Sequence, residues 1–324
     1  MVDHLVFYWS GDLPEVAELS IASALARFPE AKVEFFLDDD PGFKGSIPSS
    51  LKWLFGHPRL NLHHLPLEDY VLGCGFLPYE PSTHLFERLG NALFQIFDRS
   101  RLRKTAFARQ LSLLAPWLRP ILGHYNHIYG WFRASSVSHA LQWAGPVYRD
   151  DVFKIVAELN FPGESVLCAD LDVYFAKPSE QWPFEKSFTS RWGDEKWANN
   201  PVLFLGPYRN SLSQKFHMNL KRGLPAAPWH FFSDQECLNY GVTVLPVDQF
   251  DPPWSQTSVS SGSSELFMSN SELNQAFVDE IRARSLSVHW HNQWQRAPEP
   301  GSPYKVFLKE CRDILAQRDG IAPR

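Results

Sequence analysis

Asp170 and Asp172 stand one residue apart in Ser165-Val166-Leu167-Cys168-Ala169-Asp170-Leu171-Asp172-Val173-Tyr174-Phe175. The apolar run before them suits a buried strand, and apolar residues resume behind them. An ionised carboxylate is costly to bury without a partner, so two at a strand end call for compensating charge. A hard divalent cation, Mn2+ or Mg2+, supplies it: such ions take oxygen ligands and also hold substrate phosphates. Taken alone, Asp-x-Asp equally fits an exposed strand-end turn. Further polar candidates flank it: Asp151 and Lys154 upstream, and Asn200, Asp234, Gln235, His289 and His291 downstream.

The elements that must position these residues read as an α/β chain. Residues 5–9 form a first strand with Trp9 at its end. Pro14 opens a helix running to about residue 28, on which Val16, Leu19, Ile21, Ala24 and Leu25 repeat at helical spacing. Residues 32–37 form a second strand that ends in Asp38-Asp39-Asp40, expected as a solvated turn or, less simply, as a contact to a ribose or base. Strand–helix–strand is the opening of an open α/β sheet, whose ligands gather at the carboxyl ends of its strands. Residues 60–65 read as another strand. His63-His64 on it are structural, because neighbours on a strand face opposite ways. Residues 83–143 read as a helical insertion. Within it Arg99, Arg101, Arg103, Lys104 and Arg109 interleave with apolar residues, as on a surface helix or one lying on an anionic membrane. A helix over 147–159 carries Asp151 and Lys154 and leads into the Asp170 strand. The polar stretch 254–270 is expected as a loop that closes over a ligand.

Composition limits the function classes. The chain has 324 residues, 44% of them hydrophobic and 15% aromatic, enough for a substantial core, and includes 12 Trp. A net charge of −5 argues against general nucleic-acid binding. Cys74, Cys168, Cys237 and Cys311 are far apart and lack a C-x-x-C spacing, so buried thiols in a reducing compartment are expected. The sequence contains no basic leader and no apolar run of about 18 residues, which gives a cytoplasmic expectation.

An Asp on a helix (Asp151), a basic residue three further on (Lys154), a Pro162-Gly163 turn, the Asp170-Leu171-Asp172 strand end and Lys177-Pro178 together resemble the sugar-binding region of family 32 glycosyltransferases. Relative to that pattern Lys154 replaces an Arg and Pro162-Gly163 replaces Gly-Gly. Asn199-Asn200 before an apolar run, Asp234-Gln235 with Leu238-Asn239, and His289-Trp290-His291 resemble further segments of such enzymes. The resemblance implies a GT-A type Rossmann-like open sheet, a single domain over residues 1–324, and metal-dependent hexosyl transfer with retention. A nucleotide-sugar, a UDP-sugar favoured, would be the donor, and a saccharide or lipid-linked hydroxyl the acceptor. It assigns Asp170, Asp172 and His289 to Mn2+ or Mg2+. Asp151, Lys154, Asp170 and Asn200 go to the donor, and Asp234 and Gln235 to the reacting centre. Apart from the resemblance, Trp9, Trp290 and Trp294 are candidates to stack on the donor's base or a sugar face, or else core residues. Of the two histidines only one is expected to face inward, and His289 is chosen. An inactive carbohydrate- or nucleotide-binding scaffold and a nucleotidyltransferase are the rival readings. The latter normally shows a Gly-rich phosphate loop after its first strand, for which Ser10-Gly11-Asp12-Leu13-Pro14 is a poor match.

Overall fold

β1 (His4–Trp9) is apolar on both faces, and its alternate residues enter two different cores. Leu5 and Phe7 join the layer that holds α1 (Glu18–Arg27), while Val6 and Tyr8 point to the opposite layer. A strand buried on both faces belongs in the middle of a sheet. That is where the computed structural model, which describes residues 2–73, 145–191, 198–206, 234–239, 241–254, 263–269, 271–291 and 293–322, places it.

In chain order the remaining elements are β2 (Lys32–Asp38), the short α2 (Lys52–Phe55), β3 (Leu60–Leu65), α3 (Leu67–Gly73), α4 (Gly145–Ala157), β4 (Val166–Ala169), β5 (Val173–Phe175), β6 (Phe188–Arg191) and β7 (Ala198–Leu205). They continue with α5 (Asp234–Asn239), β8 (Thr243–Leu245), α6 (Val247–Phe250), α7 (Ser271–Arg284), β9 (Ser287–His289) and α8 (Pro303–Asp319). Seven strands form one sheet in the order β3-β2-β1-β4-β7-β6-β8, and β5 pairs with β9 in a separate two-stranded ribbon. All neighbours in the large sheet are parallel except β7, which runs antiparallel to both β4 and β6. The result is an open, mixed α/β sheet of the expected class.

The strand order reverses between β1 and β4, since β1 is followed in sequence by β2 on one side and flanked by β4 on the other. A crevice outside the carboxyl ends of the strands forms at such a point. Trp9 ends β1, and Asp170 follows β4 directly. Helix α1 covers one face together with α8, whose Tyr304, Phe307, Leu308, Cys311 and Leu315 are buried in the same core. Helix α4 covers the other face through Val152, Phe153 and Val156.

Two expectations are corrected here. Asp38 and Asp40 are not a solvated turn: both are buried, and Arg149 of α4 reaches Asp38 Oδ2 with Nε at 2.6 Å and pairs with Asp40. The reason is tertiary, because α4 brings a guanidinium over the end of β2 from more than 100 residues away. The stretch 254–270 is not wholly a polar loop either. Ser263–Phe267 is a turn of 3-10 helix with Leu266 and Phe267 in the core, and residues 255–262 lie outside the described residues. The insertion expected over 83–143, with its basic residues from Arg99 to Arg109, also lies outside them. No disulfide links Cys168, Cys237 and Cys311, which are buried thiols, and no helix among the described residues is long and apolar enough to cross a membrane.

Candidate active site

The Asp-x-Asp turn bridges two strands rather than closing one. β4 ends at Ala169, Asp170 to Asp172 turn the chain, and β5 begins at Val173. Three contacts hold this turn. The Asp170 amide donates to Pro201 O at 2.7 Å, extending the β4–β7 ladder by one bond. Ser20 Oγ of α1 donates to Leu171 O at 2.5 Å. Ser23 Oγ, one helical turn on, accepts the Phe175 amide at 3.1 Å. β9 then lies against β5 with His289 opposite Val173, and the Trp290 amide donates to Asp172 O at 3.0 Å.

This pairing brings an imidazole from the far end of the chain onto the two carboxylates. His289 Nε2 is 3.1 Å from Asp172 Oδ1 and 3.6 Å from Asp170 Oδ2. One ligand atom from each residue lies within 4.8 Å of the others. Neighbouring ligands of an octahedral cation with bonds of about 2.1 Å sit about 3.0 Å apart, near the His289–Asp172 separation, and two carboxylates with one imidazole suit Mn2+ better than Mg2+, which prefers oxygen ligands. Electrostatics agree with the geometry. Burial lowers an imidazole's pKa, yet the carboxylates of Asp172 and Asp251 outweigh it and hold His289 above the ordinary value. The pocket therefore attracts positive charge even though it is shielded from water.

Lys154 is buried, with Nζ 2.7 Å from Asp150 Oδ2 and paired also with Asp170 Oδ1. This pairing ties Lys154 to Asp170 at the turn. Asp151 is buried on the same helix. Asn200 lies in β7 next to Pro201 and hence beside the Asp-x-Asp turn, while Asp234 and Gln235 open α5; the side chains of these three lie outside the described residues. Trp9 donates its indole N–H to Asp12 O at 3.0 Å and packs edge-on against Trp294 with centroids 4.7 Å apart. Residues 293–297, including Trp294 and Arg296, line an open cleft of about 560 Å3, within the size range of small-ligand pockets. Trp290 belongs to the core instead: it is fully buried and packs on Phe267 and Tyr304.

The expectation that only one of the two histidines faces inward is overturned. Both rings turn toward Asp251, with centroids 3.9 Å apart, and His291 Nε2 is 2.5 Å from Asp251 Oδ2. Positions i and i+2 share a face of a strand, and here β9 stops at His289 while His291 takes φ 46°, which keeps its ring beside its neighbour. Burial and the adjacent His289 push His291 below the ordinary imidazole value.

Four contributors escaped the sequence reading. Ser20 and Ser23 look like small helix-facing residues, and their only signal is a spacing of three on a buried face. Arg149 is an ordinary helix residue until α4 is packed over β1 and β2. Asp251 precedes Pro252-Pro253 with no local pattern linking it to His289.

No family model matches this chain, and neither does any curated protein. Among solved structures it is similar to the apo form of the glycosyltransferase GlyE of Streptococcus pneumoniae, with 12% identity and a TM-score of 0.41, over 100% of this chain and 65% of that one. It is also similar to the galactosyltransferase LgtC in complex with donor and acceptor sugar analogues, with 12% identity, 95% of each chain covered and a TM-score of 0.38. A third is the PaToxG glycosyltransferase, with 13% identity over 73% of this chain and 67% of that one and a TM-score of 0.33. At such identity and overlap, the functional reading rests on this chain's own residues.

Proposed function

We propose that the chain is a divalent-metal-dependent glycosyltransferase. It moves a hexose-type sugar from a nucleotide-sugar, a UDP-sugar favoured, to a hydroxyl of a saccharide or glycolipid, in surface polysaccharide or glycoconjugate synthesis. The carrying observation is the convergence of Asp170, Asp172 and His289 at the strand-order reversal, from positions more than 100 residues apart. One GT-A-like domain over residues 1–324 is part of the same reading.

When a nucleotide-sugar reacts, negative charge grows on the departing phosphate oxygen, and stabilising that charge is the main task of such a site. Bound Mn2+ or Mg2+ would supply a Lewis acid for it, held by Asp170, Asp172 and His289. Lys154 keeps Asp170 oriented through its shared pairing with Asp150. Trp9 and Trp294 offer an aromatic wall beside the cleft for a base or sugar face. Asp151, Asn200 and Asp234 serve donor hydroxyls, and Gln235 stands near the anomeric carbon. Displacement on the front face of the donor gives retention. The basic residues from Arg99 to Arg109 provide peripheral contact with the inner face of an anionic membrane, where a lipid-linked acceptor resides.

The test is melting temperature across UDP-, GDP- and CMP-sugars, with and without Mn2+, on wild type and Asp172→Ala. A Mn2+-dependent rise with one donor class, absent in the variant, is expected; no shift with any donor removes the reading, and a shift without donor turnover favours the inactive binding scaffold. Product NMR reports the anomeric configuration, and an inverted centre rejects retention. Charge-neutral replacements of Arg99, Arg101 and Arg103 are expected to abolish co-sedimentation with anionic vesicles.

A further inference from the structure

Asp251 follows α6 and reaches the Nδ1 side of His289, away from the Asp170 and Asp172 carboxylates that face Nε2. Its Oδ2 is 2.5 Å from His291 Nε2 and 3.8 Å from His289 Nδ1. Its Oδ1 and the Nδ1 of His289 are both buried and make no hydrogen bond among the described residues. Two orphaned polar atoms, one an acceptor and one on a titratable ring, on adjoining buried side chains are costly unless some state of the protein joins or fills them.

A second cation between Asp251, His289 and His291 does not meet that need. The 2.5 Å contact of His291 with Asp251 leaves no room between them for an ion bonded to both, since ligands of one ion lie about 3 Å apart. A ring whose Nε2 serves the Asp170–Asp172 site would also have to lose its remaining proton to bind a second ion through Nδ1. A hydrogen bond does meet the need. Whenever Nε2 is engaged as a lone-pair donor, the proton of a neutral imidazole sits on Nδ1, and Asp251 is the carboxylate on that side. Histidines that bind metals commonly donate their other N–H to a carboxylate, and removing that partner weakens metal affinity by about 10–100-fold.

We propose that Asp251 is a positioning residue: held on one side by His291, its carboxylate accepts the Nδ1–H of His289 and fixes the tautomer that turns the Nε2 lone pair toward Asp170 and Asp172. This inference rests on the metal-site reading above. It also makes the His-x-His pair a unit, with the second histidine anchoring the carboxylate that orients the first.

Two measurements test it. The first is the Mn2+ dissociation constant, read from the EPR signal of free Mn2+, for wild type, Asp172→Ala and Asp251→Asn. The expected result is tight binding in wild type, loss in Asp172→Ala and about 10–100-fold weakening in Asp251→Asn, whose side chain is a poorer acceptor of the same size. The second is the 15N spectrum of histidine-labelled protein loaded with diamagnetic Zn2+, because without a metal the Asp172 carboxylate 3.1 Å from Nε2 would itself hold a proton there. A hydrogen-bonded, downfield Nδ1–H is expected at His289 in wild type and an upfield-shifted one in Asp251→Asn. Binding by Asp251→Asn as tight as wild type, with loss confined to Asp172→Ala, overturns the role of Asp251 and leaves the metal site standing. Equal Mn2+ binding by Asp172→Ala and wild type overturns the metal reading itself. The wild-type spectrum needs no variant to fold, and an Nε2–H tautomer at His289 overturns the inference outright.

Discussion

Ser20 carries a job that its residue type does not announce. Its hydroxyl is buried on α1 and donates to the carbonyl of Leu171, between the two aspartates. Ser20→Ala removes that donor from a buried acceptor and is expected to cost about 1–3 kcal/mol in urea denaturation. If α1 positions the Asp-x-Asp turn as described, the same variant also weakens Mn2+ binding, whereas a conservative change on the solvent side of α8 leaves it unchanged. Lys154 is a second residue of this kind. Replacing it with Met keeps the length but leaves Asp150 and Asp170 without their shared ammonium. Because both carboxylates keep about a fifth of their surface exposed (21% and 23%), part of the pairing is screened, and a loss of ~1–2 kcal/mol is expected.

The carboxyl ends of β1 and β2 are joined by side chains from α4 and by the loops that follow them. Arg149 pairs with Asp38 and Asp40, stacks over Phe43 at 3.9 Å and lies beside the Tyr8 hydroxyl. Both the guanidinium and the Asp38 carboxylate are shut off from water, so Arg149→Met leaves a buried charge uncompensated. A destabilisation of ~3–5 kcal/mol is expected, read from the urea midpoint. The double change Arg149→Met with Asp38→Asn is expected to recover part of it, because one of the two stranded carboxylates is then neutral while Asp40 keeps its charge with the Glu68 amide as donor. The two loops touch closely: the Gly11 amide donates to Phe43 O at 2.6 Å, and Ser46 donates to Asp12 Oδ1 through its amide at 2.9 Å and its hydroxyl at 2.7 Å. A Cβ on Gly45 would meet the Gly11 carbonyl at 1.8 Å. Gly45→Ala must therefore push the loops apart, and its expected signature is weaker donor binding with Trp9 displaced, seen as altered Trp fluorescence on donor titration.

At the scale of the molecule, the last helix is part of the first core. Arg318 of α8 donates to the carbonyls of Leu25 and Ala26, and Arg59 donates to those of Leu25 and Phe28, satisfying the open end of α1. His57 is 2.9 Å from Asp319. Deleting residues 303–322 exposes the apolar face of α1 and is expected to abolish cooperative unfolding. A charge network at the start of the central strands sets a pH dependence. Burial raises the Glu34 carboxyl, but hydrogen bonds from His4, His63 and Asn61 outweigh it and bring it from 4.5 down to about 2. A depressed carboxyl stabilises the fold above its unfolded value, so this contribution is present above about pH 4.5 and lost as pH falls toward 2. Burial lowers His4, yet Glu34 and Glu164 hold it above the ordinary imidazole value. Its contribution is complete below pH 6.5 and is lost as pH rises through its folded value. Urea midpoints measured from pH 3 to 9 are expected to peak in the weakly acidic range and fall on both sides. Glu34→Gln flattens the profile.

The sequence by itself determined β1 to β4, the helix that follows the first of them, and the Asp-x-Asp pair at a strand end, because these are written in local spacing. Unbroken apolar runs mark β1 and β4, an apolar run interrupted by Glu34 marks β2, leucines bounded by turn residues mark β3, and a helical repeat of small and branched residues marks α1. The choice of His289 as partner to Asp172 was legible only through resemblance, since 117 positions separate them and no local pattern joins them. Tertiary structure decided the rest. It turned Asp38 and Asp40 from surface acids into the buried partners of Arg149, gave Lys154 to Asp150 and Asp170, sent Trp290 to the core, and drew both histidines toward Asp251. In each case a charged or polar side chain's role depends on which group from a distant segment reaches it in a water-poor setting, where an unmatched charge is costly. Spacing along the chain records where a side chain points on its own element, and the packing of elements decides what it meets.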